Sequence, residues 1–197
     1  MVIGILALQG CVEPHKKHLE ALGAEVRLIR MPQDLIGIDG LILPGGESST
    51  MLKLMKSFAL WEPVKELSHK IPFWGICAGS ILMAKAVENP KQDCLAVMDV
   101  AVKRNAYGRQ LESFEAPIEL NDLELDELAS AVFIRAPKFS HWGADVKVCG
   151  QVKGEPVFLE SGSHMVTAFH PELTESHWCH KIFLDKCRIL HREVNIC

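Results

Sequence analysis

The sequence predicts an α/β fold built on a largely parallel sheet, and three observations carry that prediction. Short apolar runs alternate with segments of helical spacing along the chain. The first run, Val2 to Leu8, is continuously apolar and closes at Gln9-Gly10, which is how a strand covered on both faces reads. Two later runs, Leu41-Ile42-Leu43 and Phe73-Trp74-Gly75-Ile76, stop abruptly at glycine-containing turns followed by helix starts. In such a fold, ligands gather at the carboxyl ends of the strands. At 197 residues the chain is long enough for a substantial core, and it is read as one domain over residues 1–197.

Each element has a local justification. Residues 12 to 22 set Val12, Leu19 and Leu22 among polar groups before Gly23, which predicts a crossover helix with a glycine stop. On that helix His15 and His18, with Lys16 and Lys17 between them, read as a solvated face. Glu25 to Arg30 is a second strand and Leu41 to Leu43 a third. Pro44-Gly45-Gly46-Glu47-Ser48-Ser49-Thr50 is then a tight turn opening a helix. The apolar Ile81-Leu82-Met83-Ala84 predicts a helix after Cys77, and Leu95 to Lys103 a further strand. Arg104 to Gln110 is too polar to continue that strand and reads as a surface loop. The acidic stretch 121–130 reads as a solvated excursion. Ala131 to Ile134, Asp145 to Cys149, Val157 to Glu160 and Met165 to Phe169 are short strands, expected as antiparallel additions to the sheet. Trp178, Ile182, Phe183 and Ile189 suit the apolar face of a terminal helix over residues 176–190.

Composition narrows the function. A net charge of −4 and the lack of a long Lys/Arg run give no electrostatic footprint for nucleic acid. No apolar run approaches the length needed to span a bilayer, and Met1 leads into Val2 without a basic signal-like segment. The seven cysteines, at 11, 77, 94, 149, 179, 187 and 197, are odd in number and scattered, which suits a reducing, cytoplasmic setting without structural disulfides. His177, Cys179, His180 and Cys187 fit no common zinc spacing, so no metal is expected. Small molecules and proteins are the expected partners.

Three stretches carry chemistry. In Gly75-Ile76-Cys77-Ala78-Gly79 a cysteine sits between a strand and a helix with glycines two residues to either side, the pattern of a nucleophile elbow. The helix start places positive dipole beside the sulfur. The alternative, a small buried core cysteine, stays open on this segment alone. His170-Pro171-Glu172 puts an imidazole and a carboxylate on one side of an extended segment. Glu172 can then fix the tautomer of a His170 that exchanges protons with a thiol. Pro171 and Glu172 could equally just open a helix. The glycines at 45 and 46 supply a turn whose Gly46 N–H, together with Ala78 N–H after the nucleophile, could hold an oxyanion. The same turn is also an ordinary helix cap.

Together, Gly75-Ile-Cys77-Ala-Gly79, Pro44-Gly-Gly-Glu-Ser-Ser and Phe169-His170-Pro-Glu172 resemble the class I glutamine amidotransferases. Leu6-Ala-Leu-Gln-Gly10, Arg104-Asn-Ala-Tyr-Gly-Arg-Gln110, Phe133-Ile-Arg-Ala-Pro137 and Thr167-Ala-Phe-His-Pro-Glu-Leu-Thr174 look more narrowly like the glutaminases of pyridoxal 5′-phosphate synthases. The resemblance implies a three-layer α/β/α sandwich of flavodoxin-like type, with a largely parallel central sheet plus antiparallel additions. It implies hydrolysis of L-glutamine to glutamate and ammonia by Cys77 as nucleophile through a thioester, His170 as acid/base and Glu172 as its orienting carboxylate. Gly46, Glu47, Ser48, Arg104, Ile134 and Arg135 fall where the family holds glutamine. No cofactor is implied, and the partner is the synthase subunit, in a hetero-oligomeric complex, that receives the ammonia. Ser80 and Lys138-Phe-Ser-His-Trp-Gly143 depart from the family pattern. A glutaminase of another synthase, such as that of histidine biosynthesis, shares the triad and is the enzymatic alternative. A redox-sensing relative with a cysteine at the same elbow is the non-hydrolytic one.

Overall fold

The computed structural model describes residues 1–104, 113–121 and 129–196, with side chains through residue 192. Most of the 104–110 loop and of the acidic stretch expected at 121–130 therefore lies outside the described residues. An eight-stranded sheet organises the chain. Its parallel part comprises β1 (Val2–Leu6), β2 (Glu25–Ile29), β3 (Gly40–Leu43), β4 (Phe73–Ile76) and β13 (His164–Thr167). The order is β2-β1-β3-β4-β13, continued antiparallel by β12 (Glu155–Ser161), β11 (Lys147–Val152) and the two-residue β8 (Glu119–Leu120).

The alternation of side chains along β4 sorts the helices into two layers. Trp74 points to one face, where its ring meets His15 on α1 (Val12–Ala21) and His180 and Phe183 on α5 (Trp178–Ile196). Gly75 points to the other, where a Cβ would meet the Met83 sulfur of α4 (Ala78–Met83) at 2.8 Å. The helix α2 (Ser48–Ser57) packs on α4 and on α3 (Trp61–Leu67). Three layers result, and β3 and β4 between them are wholly buried.

Two small sheets stand beside this sandwich. One joins β5 (Ala84–Glu88) and β6 (Met98–Lys103) to β10 (Lys138–Trp142). The other pairs β7 (Ser113–Pro117) with β9 (Ser130–Ile134).

The structure corrects several expectations. Met165 to Phe169 is not an antiparallel addition: Met165, Val166 and Thr167 pair parallel with Trp74, Gly75 and Ile76, and only the other edge of β13 is antiparallel. Short apolar runs look alike in either orientation, so pairing direction is a long-range decision. The helix after Cys77 has six residues and passes straight into β5, because Ala84 turns extended at ψ 158°. Lys138 to Trp142, anomalous in sequence, is the strand β10 that closes the small sheet on β6. Ile189 is 58% exposed and takes no part in the buried face of α5. His15 and His18 are buried, not solvated, because α1 turns this face toward the 3-10 turn at Pro171–Leu173 and toward α5.

Candidate active site

Four strand ends converge on one cavity. Gln9 follows β1, Gly46 to Ser48 follow β3, Cys77 follows β4 and His170 follows β13, so the carboxyl edge of the parallel sheet supplies them all. The cavity has about 230 Å³, suited to a small metabolite, and is also lined by Ala78, Ile81, Arg104, Ile134, Arg135 and Pro137.

Cys77 adopts φ 47° and ψ −100°, a left-handed conformation that non-glycine residues rarely take. Its N–H donates to the Thr167 carbonyl at 2.8 Å, and its own carbonyl accepts from the buried Ser80 hydroxyl at 2.6 Å. The departure at Ser80 thus serves to pin the strained peptide. Gly79 lets the elbow close, since a Cβ there would lie 1.9 Å from the Leu43 carbonyl oxygen. The Cys77 sulfur faces the Ile134 carbonyl at 3.8 Å.

His170 enters through a bridge to β9, with its N–H donating to the Val132 carbonyl at 2.7 Å. The same bridge brings Ile134 and Arg135 to the cysteine, and Arg135 too is left-handed, at φ 45°. His170 Nδ1 is 2.7 Å from Glu172 Oε1, with both side chains buried. Burial alone would lower the His170 pKa, but hydrogen bonding with Cys77 and Glu172 and the charge on both outweigh it and raise it to about 10. Burial would raise the Glu172 carboxyl, yet the pull of His15, which is protonated only in the acid range where this carboxyl titrates, and the His170 hydrogen bond bring it below its ordinary value.

The turn after β3 is both cap and wall. Glu47 caps α2 by accepting from Thr50 N–H at 2.7 Å and from the Ser49 hydroxyl at 2.5 Å. Burial opposes its ionisation, but these hydrogen bonds prevail and hold its pKa at about 2. Arg104 pairs with Glu47 Oε1 at 2.9 Å and donates to Gln92 Oε1 at 2.9 Å, so its guanidinium is engaged within the loops. Gln9 Oε1 accepts from Glu47 N–H at 3.0 Å, and Cys11 N–H donates to the Gly45 carbonyl at 3.0 Å. Among the described residues the Gly46 N–H has no hydrogen-bond partner.

Every residue singled out from sequence except Glu172 lines the cavity, and Glu172 lies directly behind His170. Ile81 and Pro137 were not singled out, and being apolar they give no chemical signal. Gln9 had one, standing at the end of the first apolar run.

A profile of the SNO glutamine amidotransferase family matches residues 5–189. A pyridoxal 5′-phosphate synthase subunit PdxT from Thermosipho africanus is 45% identical over 94% of this chain and 98% of its own. One of the same name from Deinococcus radiodurans is 42% identical over 93% and 96%. Among solved structures, a glutamine amidotransferase superposes with a TM-score of 0.88 at 39% identity, covering 95% of this chain and 99% of the other. A protein from Thermoplasma acidophilum, with a TM-score of 0.71 at 17% identity over 100% of this chain and 96% of its own, shares the fold. With a cysteine elbow, a His-Glu pair behind it and a match over nearly the whole length, the chain belongs to the SNO glutamine amidotransferase family.

Proposed function

We propose that this chain is the glutaminase subunit of a pyridoxal 5′-phosphate synthase, hydrolysing L-glutamine to L-glutamate and ammonia and passing the ammonia to its synthase subunit. The observation that carries the reading is the line from Cys77 through His170 to Glu172 at the wall of a small cavity. The near full-length likeness to synthase subunits supports the pathway. The six described cysteines are free thiols, in keeping with a cytoplasmic enzyme.

In this reading the Cys77 thiol passes its proton to His170, and the sulfur attacks the carboxamide carbon of glutamine. The oxyanion is met by the N–H groups of Gly46 and Ala78. The imidazolium, steadied by Glu172, protonates the departing ammonia and leaves a glutamyl thioester. His170 then takes a proton from water, which attacks the thioester and frees glutamate. Glu47 and the arginines 104 and 135 suit the α-ammonium and α-carboxylate of the substrate, with Ser48 and Ile134 completing the wall.

The test is glutamine turnover by the chain alone, with a pyridoxal 5′-phosphate synthase subunit, and with the synthase of an unrelated amidotransferase. A clear rise with the first partner alone is expected. A rise only with the unrelated synthase would move the enzyme to another pathway, and no turnover in any mixture would reject glutamine hydrolysis.

A further inference from the structure

Behind the triad, α1 and the start of α5 gather four histidines, two of which, His15 and His18, meet Glu172. His15 Nε2 lies 3.5 Å from Glu172 Oε2, the carboxylate oxygen that His170 does not use. Both side chains are fully buried, and neither of these two atoms has a hydrogen-bond partner among the described residues. Orphaned buried polar atoms are rare and costly. Here one is a potential donor and the other an acceptor, and each faces the other. His15 Nδ1 in turn lies 2.8 Å from His180 Nε2 on α5. A second pair repeats the arrangement one turn along. His18 Nε2 reaches the Glu172 carbonyl at 3.3 Å while His18 Nδ1 meets His177 Nδ1 at 2.5 Å, and His18 stacks on His180 with ring centroids 4.4 Å apart.

We infer that His15 is a positioning residue for the catalytic carboxylate, donating from Nε2 to Glu172 Oε2, and that His180 fixes its tautomer by donating from Nε2 to His15 Nδ1. The inference rests on the reading of Cys77, His170 and Glu172 as one catalytic unit. The carboxylate chooses the direction of the chain. A bare His15 Nε2 would set a lone pair against an anion in a buried site, whereas Nε2–H turns the same contact into an attraction. With Nε2 protonated, a neutral His15 has a bare Nδ1, which requires N–H on His180 Nε2. Burial keeps His15 neutral at ordinary pH, lowering its pKa to about 4 although the charge of Glu172 opposes this. By the same logic His18 donates from Nε2 to the Glu172 carbonyl and accepts from His177. Glu172 is thus held at its carboxylate by His170 and His15 and at its backbone by His18. A carboxylate so clamped keeps the His170 ring aimed at the sulfur through both proton transfers.

The test measures kcat and KM for glutamine, with the pyridoxal 5′-phosphate synthase subunit present, in wild type, His15→Leu and His15→Gln, each also combined with Glu172→Gln. His15→Leu should lower kcat about tenfold with KM unchanged, the scale of one lost hydrogen bond to a charged group. His15→Gln, whose amide N–H reaches to where the imidazole Nε2–H stood, should recover most of that loss. In the Glu172→Gln background the His15→Leu penalty should vanish, because His15 acts through Glu172. A penalty of the same size in both backgrounds, or a His15→Gln as poor as His15→Leu, would overturn the inference in favour of a packing role. Should His15→Leu not fold, nitrogen-15 NMR of the histidine-labelled wild-type chain decides alone: Nε2–H with bare Nδ1 is expected at His15, and the opposite tautomer refutes it. Absent turnover in the wild type counts against the triad reading, and the tautomer still settles the position of His15.

Discussion

The imidazole of His170 lies against the bare backbone of Gly45, where a Cβ would stand 2.2 Å from His170 Cε1 and 2.8 Å from Nδ1. The glycine turn therefore shapes the position of the base as well as that of its own N–H groups. Gly45→Ala should push the ring off its line to Cys77 and lower kcat by about 100-fold, the scale of a misplacement near 1 Å. Circular dichroism should remain that of the wild type. Unimpaired turnover in this variant would show that the ring has room the structure does not give it.

Cys77 holds a positive φ, which costs a side-chain-bearing residue about 1–3 kcal/mol and a glycine little. Cys77→Ala and Cys77→Gly should both lose glutamine turnover. Cys77→Gly should be the more stable of the two by about 1 kcal/mol in denaturant unfolding, despite the usual entropic cost of glycine. An alanine variant as stable as the glycine one would mean that the elbow relaxes in solution.

Glu47 and Arg104 are bound to each other at the cavity wall, so an amino-acid substrate has to share or replace that pair. Glu47→Gln keeps an oxygen to cap Thr50 and spares the start of α2, while removing the charge. It should raise KM for glutamine about tenfold with little change in kcat, the pattern of lost uniform binding. A fall in kcat at constant KM would instead place Glu47 in the chemical step.

Stability should fall on acidification below neutrality. Burial lowers His15 to about 4 and lowers His18 and His180 as well. The groups facing them are Glu172 and His170 from the catalytic segment, His177 just before α5, and one another. Between their ordinary value of 6.5 and about 4 the unfolded chain binds more protons than the folded one, so stability drops as pH falls through this window. For His15 the loss reaches about 3 kcal/mol at most. His170 works oppositely: its pKa is raised to about 10, so its contribution is full below 6.5 and lost as pH rises through about 10. Melting curves from pH 4 to 7 should show the acid loss in wild type and a shallower one in His15→Gln. A flat wild-type profile would contradict neutral buried histidines.

The chain's local grammar alone determined the parallel strands β1 to β3, the cysteine elbow, the glycine turn and the His-Pro-Glu segment. These features are legible because they are contiguous: an apolar run, a glycine two residues from a cysteine and a carboxylate two residues from a histidine each act over a few residues. Tertiary structure decided what meets across long separations. It placed β13 parallel beside β4, brought Ile134 and Arg135 to Cys77 through the bridge from Val132 to His170, and paired Arg104 with Glu47. It also reversed the face of α1. His15-Lys16-Lys17-His18 is polar throughout, and hydropathy assigns a polar helical face to solvent. This one is buried because its partners, Glu172, His177 and His180, are polar too and lie more than 150 residues away in the chain. Burial of a polar group depends on what will satisfy it, and that is fixed only when distant segments fold together.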